Sequence, residues 1–310
     1  MSSASRIVSF LPSATEMVCV LGLAEKLVGL THECDYPTSI KGKPVVVRSA
    51  VPIAQLSKPE IDAAVSERLS AGLSVYQVDE VLLKSLAPDL ILTQDLCQVC
   101  APSGNEVTQA LNALPNKPEI LWLTPRTLAE IAENLREVAR ATGTLERAEA
   151  WIATNFERLK QIETRVLQAA ERPRVFCMEW LDPLYCSGHW VPEMVRIAGG
   201  IDQLSKQGSD SIRVTWEEVF NWAPEVLILM PCGNHLEQVM ELAPKLCSLP
   251  RWDEVPAVGN GKVYAVDASS YFARPGPRVI QGTELLAHLI HPELFSWQGP
   301  ASAFRKIDCH

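Results

Sequence analysis

Val78-Asp79-Glu80-Val81-Leu82-Leu83-Lys84-Ser85-Leu86-Ala87-Pro88-Asp89-Leu90-Ile91-Leu92 has a second version 136 residues later, Val214-Thr215-Trp216-Glu217-Glu218-Val219-Phe220-Asn221-Trp222-Ala223-Pro224-Glu225-Val226-Leu227-Ile228. Each version predicts a short helix, a break at proline and an apolar strand. Proline cannot continue a helix, and the β-branched run after it suits a buried strand. Two such units predict two similar lobes. In a parallel sheet the loops after these strands lie at the carboxyl edge, where α/β folds bind ligands. The first loop reaches Cys97 and Cys100, the second Cys232. Two such edges facing each other make a cleft.

Working outward, the 310-residue chain fits two lobes. A 47% apolar composition supplies substantial cores. The net charge of −9, with no Lys/Arg cluster, excludes a nucleic-acid partner, which needs clustered cations on phosphates. No apolar run is long enough for a membrane-spanning helix. Ser2-Ser3 lead directly into the strand-like Arg6-Ile7-Val8-Ser9-Phe10, without the layout of a signal peptide. The expectation is a cytoplasmic protein whose nine irregularly spaced cysteines are mostly thiols. Cys19, Cys177 and Cys247, among apolar neighbours, read as small core residues.

Strands are predicted at 7–11, 27–31, 89–93 and 119–123, with helices at 14–21, 79–86, 106–114 and 128–142. The stretch 57–72 is amphipathic and reads as an added helix. From Leu145 to Ala170 apolar residues recur at gaps of three and four (Leu145, Ala148, Ile152, Phe156, Leu159, Ile162, Val166, Ala170), predicting one long helix able to brace two lobes. Beyond it, strands at 174–178, 226–230 and 262–266 alternate with helices at 192–197, 216–222, 236–242 and 278–289. The predicted class is α/β: two lobes with parallel sheets, 1–143 and 173–310, joined by a long backbone helix within 144–172, with a ligand cleft between them.

The carboxyl-end loops carry two overlapping chemistries. Tyr36, Trp180, Trp190, Tyr271 and Phe272 offer flat surfaces for a large planar ligand. His32, Cys34, Cys97, Cys100, Cys186, His189 and Cys232 offer thiolate and imidazole, which suit zinc, copper or iron. The Cys97-x-x-Cys100 pair reads as a metal half-site, a redox pair or loop packing. His235 reads as the start of a helix. Glu33, Asp35, Glu179 and Asp182 are available for acid–base work, although loop carboxylates are ordinarily just solvated. The nucleophile-elbow, HExxH, Walker and GxGxxG signatures are absent.

Several segments together resemble the class III periplasmic solute-binding proteins. Leu11-Pro12-Ser13-Ala14-Thr15-Glu16 is similar to their opening turn, and Cys34-Asp35-Tyr36-Pro37 to the segment after their second strand. Ser270-Tyr271-Phe272-Ala273-Arg274-Pro275-Gly276-Pro277-Arg278 is similar to their closing segment. The resemblance runs from Arg6 to about Leu289 and lies nearest the cobalamin-binding branch, beside relatives that take haem, siderophores or bare metal ions. It implies two α/β lobes on one long helix and binding of a cobalamin, another corrinoid or a related metal chelate without catalysis. Ser13, Tyr36, Trp180, Trp190, Tyr271, Phe272 and Arg274 are the implied ligand contacts, with His32 or His189 near the metal. It further implies an ABC permease partner docked through Glu217. The first-lobe counterpart falls at Val81, beside Glu80. The cysteine-rich loops depart from the family pattern. They keep two alternatives open, a binder of zinc, iron or another thiophilic ion used for delivery or sensing, and a thiol-dependent enzyme.

Overall fold

The computed structural model describes residues 3–51, 58–71, 75–94 and 114–309. The chain divides into two compact units, one of Met1–Pro125 with Ala132–Trp151, the other of Arg126–Ile131 with Ile152–His310.

The first unit holds β1 (Ile7–Ser9), α1 (Pro12–Val20), β2 (Leu27–Thr31), β3 (Val45–Ser49), α2 (Lys58–Ser70), β4 (Tyr76–Val78), α3 (Glu80–Leu86), β5 (Leu90–Thr93) and β6 (Glu119–Trp122). The sheet order is β4-β3-β2-β1-β5-β6. Five strands run parallel and β4 is antiparallel to β3, so the sheet is mixed rather than wholly parallel. Val8, Phe10, Val46, Leu83 and Ile91 form a buried core. The helix predicted over 57–72 is α2. The one predicted over 106–114 lies outside the described residues but for Leu114, and β3 and β4 had not been expected.

Two long helices follow, α4 (Leu128–Thr142) and α5 (Leu145–Val166). The apolar stripe of α5 is buried at Ala148, Ile152, Leu159, Ile162 and Val166. The helix ends at Val166, four residues short of expectation. Leu167 is 76% exposed there, so no buried stripe holds a further turn.

The second unit continues with β7 (Val175–Leu181), β8 (Leu184–Cys186), α6 (Val191–Ile197), α7 (Trp216–Trp222), β9 (Val226–Leu229), α8 (Leu236–Met240), α9 (Ala243–Cys247), α10 (Pro256–Gly259), β10 (Val263–Val266), α11 (Ala268–Tyr271), α12 (Val279–Ile290) and β11 (Phe304–Lys306). Its order is β11-β10-β9-β7-β8. The central strands are parallel, while β8 and β11 are antiparallel edges, a second departure from the parallel expectation. Glu179, Trp180, Tyr185 and Cys186, read as loop residues, belong to the β7–β8 hairpin. Cys247, read as a core thiol, is bonded to Cys309.

The repeated module keeps its offset in three dimensions. α3 and α7 have seven residues each, and β5 and β9 are buried throughout. Both helices end in a left-handed alanine, Ala87 at φ 40° and Ala223 at φ 51°, where the chain must turn before proline. Each following strand then pairs in parallel with the first strand of its unit, Ile7 opposite Leu90 and Val175 opposite Val226.

Candidate functional site

At the carboxyl edge of the first sheet, the loop after β2 carries His32, Glu33, Cys34 and Tyr36. The His32 Nδ1 lies 3.3 Å from both the Val47 carbonyl and the Thr31 hydroxyl. A carbonyl oxygen only accepts, so the Val47 contact is a hydrogen bond only when Nδ1 carries the proton. That tautomer leaves the Nε2 lone pair of this exposed residue available. The imidazole also lies 6.2 Å from the Tyr76 ring, whose hydroxyl donates to Glu33 Oε1 at 3.3 Å. Cys34 Sγ sits 3.1 Å from Thr15 Oγ1, tying this loop to the first turn of α1. Tyr36 is 45% exposed, whereas Ser13 is buried.

In the second unit, His189 holds a left-handed backbone at φ 54°, a conformation that costs a non-glycine residue energy and is concentrated at functional sites. The turn is fixed from both sides: the His189 amide donates to Ser209 O, and its carbonyl accepts from Gly208. Gly188 is required just before it, because a Cβ there would lie 2.4 Å from the Ser211 nitrogen. The His189 Nε2 lies 3.2 Å from Asp210 Oδ1, which also accepts from Arg126 Nη1 at 2.9 Å. Burial pushes the imidazole below its ordinary pKa. Asp210 opposes this and Arg126 adds to it. Near by, Glu179 accepts from the Ser211 hydroxyl at 2.6 Å, and His235 pairs with Asp267 at 3.0 Å.

The predicted aromatic set divides by exposure. Trp180 is half-buried, with its indole N–H donating to Asp182 O. Trp190, Tyr271 and Phe272 are buried. The Trp190 indole donates to Phe272 O at 2.9 Å, locking α6 to the turn after α11. Arg274 is half-buried in that turn's continuation.

The described members of the predicted metal set are not brought together. Among the described residues, no three of His, Cys, Asp and Glu are grouped to hold an ion. Cys97 and Cys100 lie outside those residues. Cys186 is wholly buried on β8, its thiol donating to Leu204 O and Ile212 O. Cys232 is half-buried after β9, with its amide on Glu179 O. The thiol-enzyme alternative gains nothing here either. Burial raises the pKa of Cys177 well above its ordinary value, raises that of Cys186, and lifts that of Cys19 to about 11, the reverse of thiol activation.

Asp210, Arg126 and Asp267 had not been expected at the site. Each reaches its partner across a fold-level separation of 21 to 84 residues, which local spacing does not reveal.

The periplasmic binding protein family profile matches residues 7–269. The chain belongs to the periplasmic binding protein family. Within it, the chain is 26% identical to an uncharacterized ABC transporter substrate-binding lipoprotein of Bacillus subtilis, over 94% of this chain and 81% of that protein. It is 24% identical to the vitamin B12-binding protein of Vibrio cholerae, over 91% of this chain and 87% of that one. The fold matches the periplasmic heme-binding protein RhuT from Roseiflexus with a TM-score of 0.69 at 21% identity, covering 94% of this chain and 99% of that structure. As in other periplasmic binding proteins, two sheet-containing α/β lobes carry the structure. No described helix is long and apolar enough to cross a membrane.

Proposed function

We propose that this chain is the solute-binding component of an ABC-type uptake system for a flat metal chelate, a corrinoid or a related tetrapyrrole, and performs no catalytic step. The carrying observation is His32: its Nδ1 lies 3.3 Å from the Val47 carbonyl, so the tautomer that donates there leaves Nε2 available to a metal on the loop that also carries exposed Tyr36. A histidine whose second nitrogen is held by a carbonyl is the usual arrangement of an imidazole metal ligand. The vitamin B12-binding and heme-binding relatives support the ligand class. Tyr36, Trp180 and Arg274 serve as direct contacts in this reading. Ser13, Trp190, Tyr271 and Phe272 act from behind as packed support.

The permease contact falls on α7 and α3. Glu217 is exposed and paired with Arg251 at 3.0 Å, so docking exchanges that partner for one on the permease. Its counterpart Val81 is 82% exposed, with exposed Glu80 supplying the charge in the first unit. The reading places the protein in an oxidising compartment, since a disulfide such as Cys247–Cys309 persists there and is reduced in the cytosol.

Spectrophotometric titration with aquocobalamin and with haemin tests this. We expect a saturable spectral change with at least one of them, and at least tenfold weaker binding for His32→Ala. Absence of saturation by either at about 100 μM rejects the proposal.

A further inference from the structure

A concavity lies wholly inside the second unit, between α5, α12 and the segment 295–299, with a volume of about 400 Å³. That is within the size range of small-molecule pockets. Two flat surfaces and a cation shape it. The Arg165 guanidinium lies 5.3 Å above the Phe295 ring centroid, and Trp297 presents its indole beside them. The neighbouring Arg158 is already neutralised, donating through Nε and Nη2 to Glu284 at 2.9 and 2.7 Å and through Nη1 to Asn155. Arg165 is different, since among the described residues no carboxylate is paired with it. The pocket therefore carries one uncompensated positive charge in a chain of net charge −9. The amides of Gln161, Gln281 and Gln298 line the same space.

The wall is built rather than draped. Trp297 Nε1 donates to Pro300 O at 2.9 Å, closing the 297–300 turn. The indole then lies so close to Gly299 that a Cβ there would come within 2.1 Å of it. On its other side the indole meets the Tyr271 ring edge-on at 5.9 Å. The aromatic wall is thus preorganised, which lowers the cost of binding a rigid partner.

We propose that this pocket binds a small planar carboxylate. The guanidinium fork matches a carboxylate through two parallel N–H donors, the ring lies against the aromatic lining, and the glutamine amides donate to the remaining oxygen lone pairs. None of the residues lining this pocket is among those assigned to the metal chelate, although Tyr271 backs Trp297 from behind.

Titration of the full ¹⁵N-labelled chain with sodium benzoate to about 10 mM tests the proposal, using the Trp297 indole N–H resonance assigned through Trp297→Phe. We expect that resonance to move saturably with benzoate and not with benzamide. Arg165→Gln should weaken binding at least tenfold while the other indole resonances stay in place, which verifies the fold. No saturable movement, an equal response to benzamide, or wild-type affinity in Arg165→Gln overturns it.

Discussion

Cutting the Cys247–Cys309 bond should destabilise the second unit by a calculable amount. The two cysteines are 62 residues apart, and their Cα atoms lie 5.4 Å apart, inside the ordinary range for a disulfide. In the chain-entropy treatment a loop of that length costs the unfolded state about 14 cal/mol/K, or about 4 kcal/mol at 25 °C. A smaller loss accompanies it, because Trp252 Nε1 donates to Cys309 Sγ at 3.2 Å. That indole is buried and packs edge-on against Trp216 at the start of α7. The closed loop spans α10, β10, α11, α12 and β11, so the bond pins the antiparallel edge strand to the rest of the sheet. For a unit of this size, each 1 kcal/mol moves the midpoint by about 2–4 °C, giving a fall of about 8–16 °C. Calorimetry of the oxidised chain, the chain in reductant, and Cys247→Ala/Cys309→Ala measures it. The expected pattern is a large drop in the second, matched by the third. Superimposable melts for all three would refute the reasoning, because then the loop contributes nothing to the unfolded ensemble.

Four further outcomes follow from individual contacts. Ala87→Gly and Ala223→Gly should each raise stability by about 0.5–1 kcal/mol in urea melts, since both alanines hold positive φ at a helix end; a loss in either would show that the left-handed turn carries no strain. Gly188→Ala should cost about 2 kcal/mol or more, its Cβ meeting backbone at 2.4 Å, and should abolish the His189 turn, checked by denaturation and by loss of the His189 ring signals. The His189 imidazole is held below its ordinary pKa, so the unfolded chain binds its proton first. Its stabilisation is complete above about pH 6.5 and drains away as the pH falls through the lower folded-state value, and His189→Asn, which tolerates positive φ, should flatten the urea midpoint between pH 7.5 and 5.5. Asp89→Ala should cost about 2 kcal/mol by urea melt, because that carboxylate accepts from the Ser5 and Arg6 amides and the Ser5 hydroxyl at 2.7–3.1 Å.

Much of the architecture was readable because it rests on local signals. Proline after a short helix, a gap-of-three-and-four stripe and a four-residue apolar run each report a backbone state within a few residues. α7 was placed at its observed bounds, and α5 started where its stripe starts. The edge strands β4, β8 and β11 were missed because three residues on an edge carry no periodicity. Their pairing comes from neighbours far along the chain, and a run as short as Leu184–Cys186 reads equally well as loop. The site suffered most from this. Cys186 was grouped with His189 because both read as ligands on one carboxyl-end loop. A strand turns one side chain inward regardless of what the next loop does, and Cys186 went into the core. Tyr271 and Phe272 were grouped as ligand surfaces by side-chain type, loop position and family resemblance, and the structure buries both.

The repeat itself runs deeper than the module that announced it. Arg6 and Arg174 precede the first strands of their units and make similar contacts, their guanidinium acceptors falling one position apart in the repeat. Arg6 Nε donates to Leu86 O and Arg174 Nε to Ala223 O, while their amides donate to Asp89 and Glu225 respectively. In both units the acidic residue after proline thus clamps the start of the neighbouring strand, fixing the register of the central pair. This explains why the module reads Ala-Pro-acidic rather than Ala-Pro-anything: the acid is the lock and the strand before it the bolt. The lock spans 83 residues in the first unit and 51 in the second, so spacing cannot reveal it. The 32-residue excess lies where the first unit carries α1, β2, β3, α2 and β4 between its first strand and its module helix and the second carries only β8 and α6. The elements that differ therefore sit between clamped ends. The loop bearing His32, Cys34 and Tyr36 lies in the stretch that is enlarged, between the clamped ends.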